Sequence, residues 1–415
     1  MQIFRSLLFT FLLCSFIQLS AQTSLKEGTW RGVITLSEKK YETILPFNFI
    51  VSGVKKYPVF EIMNAEEKIK VTEITFLGDS VNFRMPVFDS EFRTLLKNDT
   101  LRGVWINYAK KDHNILPFEA YYNDKIRFVT DKSANVEFGG TYEVTFNPKA
   151  KDEYKAVGKF KQSGNKITGT FLTETGDYRY LEGSVQNNDM SLSCFDGAHA
   201  FLFYGSSGNT KGKVESISGK AFYGATGRED WTAIRNEDFK LRDPESLTYI
   251  TSKDQDVNFA FTNLKNEVVS LSDGKFQNKV IIVQLMGSWC PNCMDETAYL
   301  AEFYKKYKSK GLEIIGIAYE KTTDLEKAKN NLLRLVNRFG IEYEVLMTGL
   351  SGKDRASESM PFLNGVMAFP TTIILDRQHK VKSIYTGFSG PATGKDFEKY
   401  KAKNESLITE LLLKK

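Results

Sequence analysis

Gly287-Ser288-Trp289-Cys290-Pro291-Asn292-Cys293-Met294-Asp295-Glu296 follows the apolar run Val280-Ile281-Ile282-Val283. That run is short, β-branched and uninterrupted, and it reads as a buried strand. Beyond the cysteines, Ala298, Leu300, Ala301, Tyr304 and Tyr307 recur at helical spacing. Both sulfurs therefore sit where a strand ends and a helix begins, on the first turn and within bridging reach. The unpaired N–H groups and the positive end of the helix dipole favour a thiolate there. A disulfide that forms and breaks easily is the natural product of this placement.

Two blander readings compete. A C-x-x-C pair can be half of a zinc site, or a static bridge. No second pair exists, and the three histidines, His113, His199 and His379, are all distant in sequence. Redox chemistry by the cysteines themselves is the better expectation, with no metal and no cofactor.

A second signal lies about eighty residues later, where Ala368-Phe369-Pro370-Thr371-Thr372-Ile373-Ile374-Leu375-Asp376 sets a proline at the start of an apolar strand, a position that tolerates it. Together with Trp289-Cys290-x-x-Cys293 it resembles the thioredoxin fold, in which a cis-proline loop faces the cysteines. More closely, residues 250–415 resemble the TlpA/ResA family of envelope thiol–disulfide oxidoreductases, through those motifs, Glu296, and the Gly387-Phe388-Ser389-Gly390-Pro391 turn before the last helix.

The resemblance implies roles. Cys290 would attack a substrate disulfide and Cys293 would resolve the mixed disulfide. Trp289, Phe369 and Pro370 would receive the substrate. Thioredoxins place a buried Asp in the strand where this chain has Gln284, so Glu296, one turn past Cys293, is left as the proton acceptor. Ala298 stands where the family usually has proline. The family implies reduction, a membrane electron donor of the DsbD/CcdA type, and disulfide-bearing envelope proteins as substrates, apocytochrome c among them. The competing functions are a thiol peroxidase of the AhpC/TSA kind, which Trp289 and the vicinal Cys293 fit badly, and an envelope ligand-binding protein whose redox domain is accessory.

The rest of the chain sets the context. Its 415 residues suggest two or three domains. A net charge of +5 with no basic block argues against a nucleic-acid partner. Residues 1–22 read as a signal peptide, with Arg5, the apolar Leu7 to Phe16, and small residues in Leu19-Ser20-Ala21-Gln22. Cys14 suggests a lipoprotein, but Leu13 precedes it and Phe16-Ile17 continue the apolar run. Export implies the periplasm or cell envelope of a Gram-negative bacterium, and removal of Cys14 would leave Cys194, Cys290 and Cys293.

Residues 23–133 and 134–240 read as two β-rich modules and a possible duplication. Gly28-Thr29-Trp30 returns as Gly140-Thr141-Tyr142, and Thr100-Leu101-Arg102-Gly103-Val104-Trp105 as Ser216-Ile217-Ser218-Gly219-Lys220-Ala221. Runs such as Val71 to Phe76 and Val81 to Met85 alternate like strands, and a barrel or sandwich would protect their edges. Cys194 continues the alternation Met190, Leu192 and should point into a core. His199 is its only nearby candidate partner. His113 and His379 sit in polar turns.

Residues 241–256 read as a linker and 257–415 as an α/β domain. Within it, helices are expected at Leu325 to Phe339 and Phe397 to Leu413. A strand is expected at Gly311 to Ala318 and a short one at Tyr343 to Leu346, and the Pro370 strand should pair antiparallel with Val381 to Tyr385. The chain is thus expected to be multidomain, with all-β modules before a thioredoxin-like domain.

Overall fold

The computed structural model describes residues 25–36, 43–112, 114–252 and 257–414. The expected signal peptide with Cys14, and His113, lie outside the described residues.

Strands with alternating burial build the first module. They are β1 (Gly28–Thr35), β2 (Ile44–Ser52), β3 (Val59–Asn64), β4 (Glu67–Val71), β5 (Glu73–Leu77), β6 (Ser80–Arg84), β7 (Ser90–Lys97), β8 (Thr100–Asn107) and β9 (Ile115–Tyr122). They form one antiparallel meander in the order β4-β3-β2-β1-β9-β8-β7-β6-β5, so β4 and β5 are its two ends. Trp30, Phe47, Phe49, Phe60, Phe83, Phe92, Trp105 and Phe118 fill the curved inner face. The run Val71 to Phe76 is not one strand, as its alternation suggested. The chain turns at Thr72, and β5 beyond it lies at the sheet margin with most of its side chains exposed. Alternation specifies a strand only where one face is covered.

The second module contains β10 (Val136–Glu137), β11 (Gly140–Phe146), β12 (Tyr154–Ser163), β13 (Lys166–Thr173), β14 (Gly176–Asp177), β15 (Leu181–Gln186), β16 (Asp189–Phe195), β17 (Ala200–Ser207), β18 (Gly212–Lys213), β19 (Ser216–Tyr223) and β20 (Gly227–Arg235). Here β12 also pairs with β13, which closes β11, β12, β13, β15, β16, β17, β19 and β20 into a ring. The short β14 pairs only with β13 and projects from that ring.

The sequence echoes fall at corresponding places. Gly28 and Gly140 open the first strands of the two sheets at φ +129° and +133°, and Trp30 and Tyr142 behind them are fully buried. Gly103 and Gly219 sit in the penultimate strands, where a Cβ would lie 1.9 Å from the Arg93 carbonyl oxygen and 2.2 Å from that of Tyr204. Only glycine lets the neighbouring backbone come so near.

The two sheets share a core. Cys194 points into its own ring, while the next residue, Phe195, joins the aromatic cluster of the first sheet together with Ala200 and Leu202. The Phe195 ring lies 4.7 Å from Phe47 and 5.1 Å from Trp105. Asn64 Nδ2 donates to the Phe195 carbonyl at 2.9 Å, and Ser193 Oγ to that of Pro46 at 2.6 Å. His199 does not partner Cys194. Its Nδ1 lies 3.2 Å from Asp196 Oδ2, and its ring stacks on Phe201.

The C-terminal domain is a mixed sheet in the order β22-β21-β25-β24-β23-β26-β27. Its elements are β21 (Ala260–Asn263), β22 (Val268–Ser270), β23 (Val280–Met286), α1 (Pro291–Tyr307), β24 (Leu312–Ala318), α2 (Leu325–Phe339), β25 (Glu344–Met347), α3 (Lys353–Ser359), β26 (Thr371–Leu375), β27 (Val381–Thr386) and α4 (Lys395–Leu413). Every residue of β23 is buried. It runs parallel to β24 and antiparallel to β26, which pairs antiparallel with β27. The helix α3 was not anticipated, because it buries only Ala356 and so carries no apolar stripe. Val87, in the loop between β6 and β7 of the first module, packs into this domain's core.

Phe195→Ala should cost about 3–5 kcal/mol of stability in urea denaturation, as loss of a buried aromatic ring does. Cys194→Ala, which removes one sulfur, should cost clearly less and leave the redox activity intact.

Candidate active site

The buried strand β23 delivers the chain to the cysteines, and specific bonds fix the turn that follows. Ser288 donates to Glu320 through both its N–H and its hydroxyl, each at 2.7 Å. Trp289 Nε1 donates to the Tyr319 carbonyl at 2.9 Å. The Trp289 ring meets Phe369 edge-on at 5.9 Å, and Lys321 Nζ sits 4.0 Å from its centre.

Cys290 is the N-cap of α1, and its Sγ accepts the Cys293 N–H at 3.2 Å. The same thiol lies 3.5 Å from the Phe369 carbonyl, to which it donates. The Phe369–Pro370 peptide is cis. Cys290 is 7% exposed and Cys293 is fully buried, and both are free thiols. Burial pushes the Cys293 thiol well above its ordinary range, with Cys290 and the Glu296 charge adding to the effect.

Glu296 is fully buried. Its Oε2 accepts Gln284 Nε2 at 2.8 Å, and its Oε1 accepts Thr372 Oγ1 at 2.7 Å and the Tyr400 hydroxyl at 2.9 Å. Burial raises its pKa and the three donors oppose the shift. Gln284 is more than a non-titrating substitute. It also accepts Thr297 Oγ1 at 3.1 Å and reaches the Cys293 carbonyl at 3.5 Å. The structure thus gathers Trp289, Cys290, Cys293, Phe369 and Pro370 around one thiol, with Glu296 beneath them in a polar cradle.

Sequence reasoning missed the contribution of the second module. Arg179 Nη1 donates to the Pro291 carbonyl at 3.1 Å and to Asp295 Oδ2 at 2.6 Å. Its Nη2 bonds Glu67 of β4, and its Nε lies 3.6 Å from Asp196 Oδ2. The Asn292 amide faces the backbone of Asp177, accepting its N–H at 3.0 Å and donating to its carbonyl at 3.3 Å. Burial pushes the pKa of Asp295 up to about 7, with Asp177 and Glu67 adding and Arg179 opposing. No motif marks Arg179 or Asp177. Each is one charge among many in a β module rich in Lys, Asp and Glu.

Residues 251–402 match the Redoxin family. This region is a redoxin domain. Over 142 residues the chain is 29% identical to the thiol-disulfide oxidoreductase ResA of Geobacillus kaustophilus (strain HTA426), a match covering 34% of this chain and 71% of that protein. It is 31% identical over 124 residues to ResA of Bacillus anthracis, covering 30% and 63%. Among solved structures, a thiol:disulfide interchange protein of the thioredoxin family from Chlorobium tepidum TLS is 18% identical, with a TM-score of 0.30, covering 40% of this chain and 99% of that one. These likenesses fall on the C-terminal portion of the chain.

The raised pKa of Asp295 has a sign. The folded redoxin domain keeps this proton to a higher pH than the unfolded chain does. The resulting stability is fully present below about pH 4, the ordinary range of an Asp, and is lost as pH rises through about 7. Asp295→Asn should remove this slope. The stability difference, wild type minus variant, should fall between those limits when urea denaturation is repeated at stepped pH. A flat difference would mean that Asp295 ionises as it does in the unfolded chain.

Proposed function

We propose that this chain is an envelope thiol–disulfide oxidoreductase that reduces protein disulfides through the Cys290–Cys293 dithiol. The observation that carries this reading is the Cys290 sulfur, capped by the Cys293 N–H at 3.2 Å and set 3.5 Å from the carbonyl of the cis-proline loop. The ResA likeness supports the reaction class. The signal-like segment 1–22 supports export.

The Cys290 thiolate attacks one sulfur of a substrate disulfide. The substrate S–S bond breaks, one substrate thiolate leaves, and a mixed disulfide forms. Cys293 then gives up its proton and attacks Cys290 Sγ, releasing the second substrate thiolate and closing the Cys290–Cys293 disulfide. Two electrons pass from the dithiol to the substrate. Because burial holds Cys293 protonated, the second step needs a base, and Glu296, one turn on and itself shifted upward by burial, is that base. A membrane dithiol donor of the DsbD/CcdA type returns the two electrons. The substrates are disulfide-bearing envelope proteins, with apocytochrome c as one such target, and nucleic acid is no partner.

Cys290→Ser should abolish reduction of insulin disulfides, and Cys293→Ser should accumulate a mixed disulfide visible by mass. Limiting alkylating reagent should label Cys290 first. Labelling of Cys293 first would reverse the two roles.

Glu296→Gln should slow the second step far more than the first, by a factor of roughly 10²–10⁴ if the general base is lost outright. Stopped-flow kinetics with a mixed-disulfide substrate separates the steps. Equal effects on both would reduce Glu296 to a structural acid.

A further inference from the structure

Hairpin tips normally lie in solvent, and at the tip of the β13–β14 hairpin Thr175 does, yet the next two residues, Gly176 and Asp177, are buried. At Gly176, φ +143°, a Cβ would lie 1.8 Å from the side-chain amide of Asn292, between the two cysteines. The Asn292 amide pairs with the Asp177 backbone as a neighbouring strand would. On the far side, Asp177 Oδ2 accepts the Gly390 N–H at 2.6 Å, and a Cβ on Gly387 would lie 2.9 Å from the Glu174 carbonyl oxygen. The hairpin therefore bridges the Pro291-Asn292 spacer and the loop before α4. Around the dithiol, Pro291, Phe369, Phe388 and Gly390 are all buried, although they lie on loops or at a helix start.

We propose that residues 174–177 form a substrate-selecting cap on the dithiol. Docked, the cap excludes polypeptide disulfides and admits small ones. Lifted, it opens Cys290 to proteins. This rests on the redox reading above and names what decides its substrate size. A polypeptide in mixed disulfide with Cys290 must lay several residues of backbone beside the sulfur, and the hairpin occupies one side of that ground. Beside Trp289, and lined by neither cysteine, a cleft of about 430 Å³ lies between Phe88, Tyr108 and Lys321, a size suited to a small molecule.

The cap can move without opening the barrel. Its strand β14 pairs only with β13, through Leu172↔Asp177 and Thr173↔Gly176, and lies outside the closed ring. Arg179 at its base stays bonded to Pro291 and Asp295 and serves as the anchor. The tip is held by hydrogen bonds, glycine contacts and a bidentate ion pair, Arg242 Nε and Nη2 to the two carboxylate oxygens of Glu174 at 2.6 and 2.5 Å, which solvent reaches from the Arg242 side.

The test uses the full chain with two separate substitutions. Gly176→Ala drives a methyl into Asn292, and Asp177→Ala removes the bond from the Gly390 N–H together with the one that Asp177 Oδ1 accepts from the Arg179 N–H at 2.7 Å. Each is assayed for reduction of insulin and of hydroxyethyl disulfide. In a Cys293→Ser background, each is also assayed for labelling of Cys290 by N-ethylmaleimide and by a polyethylene-glycol maleimide, with the labelled residue assigned by peptide mass. Either substitution should raise insulin reduction and bulky labelling about tenfold, the worth of about one net hydrogen bond, and leave the small reagents within about twofold of wild type. Equal change for large and small reagents, or no change for either, would overturn the cap. If no variant reduces any disulfide, the redox reading falls, and the size dependence of labelling still decides the cap.

Discussion

One guanidinium holds three bodies at fixed angles. Arg179 belongs to the second barrel, yet it bonds Glu67 of the first sheet and Asp295 and the Pro291 carbonyl of the redoxin domain, with Asp196 of its own barrel close to Nε. Its side chain is 8% exposed. A buried cation is costly unless its partners are well placed, and deleting one member of such a set strands the others at about 3–5 kcal/mol. The donors of arginine lie in one plane in a rigid fork. The acids they reach are therefore fixed relative to one another, and the β modules cannot slide across the face of α1.

That anchoring matters because the reactive thiol depends on placement. Cys290 stands at the end of a strand with no exposed residue, and Glu320 grips the turn before it through Ser288. Gln284 lies on the same strand and holds the Glu296 carboxylate and the Cys293 carbonyl together. Nucleophile and buried acid are positioned by one strand and one helix, so small errors in either would propagate to both.

The legible parts were those whose chemistry is local. Two cysteines two residues apart at a strand-to-helix junction, and a proline at a strand start, carry their meaning within a few residues. The glycines Gly28, Gly140, Gly103 and Gly219 carry theirs in backbone conformation or close approach, which is where the sequence echoes between the two β modules fall. Tyr400 and Thr372 reach Glu296 from 104 and 76 residues away, and Asn64 reaches Phe195 across 131. Nothing at either end of such a contact announces the other. Arg179 was hidden for the same reason. The run from Val71 to Phe76 misled because alternation was read as a buried face where the sheet has an edge. The short helix after Gly352 left no trace because only one of its residues is buried.

The shared core of the two β modules has a consequence for the growing chain. The first sheet is complete in hydrogen bonding at Tyr122, but its aromatic face closes only when Phe195 and Leu202 arrive, about seventy to eighty residues later. Until then Phe47, Phe92 and Trp105 lack their covering ring. A nascent polypeptide at this stage exposes a concave, sticky surface, the kind that aggregates or recruits a chaperone. The two modules must therefore mature together, and a gene fragment ending between them would yield a half-finished protein rather than an independent domain.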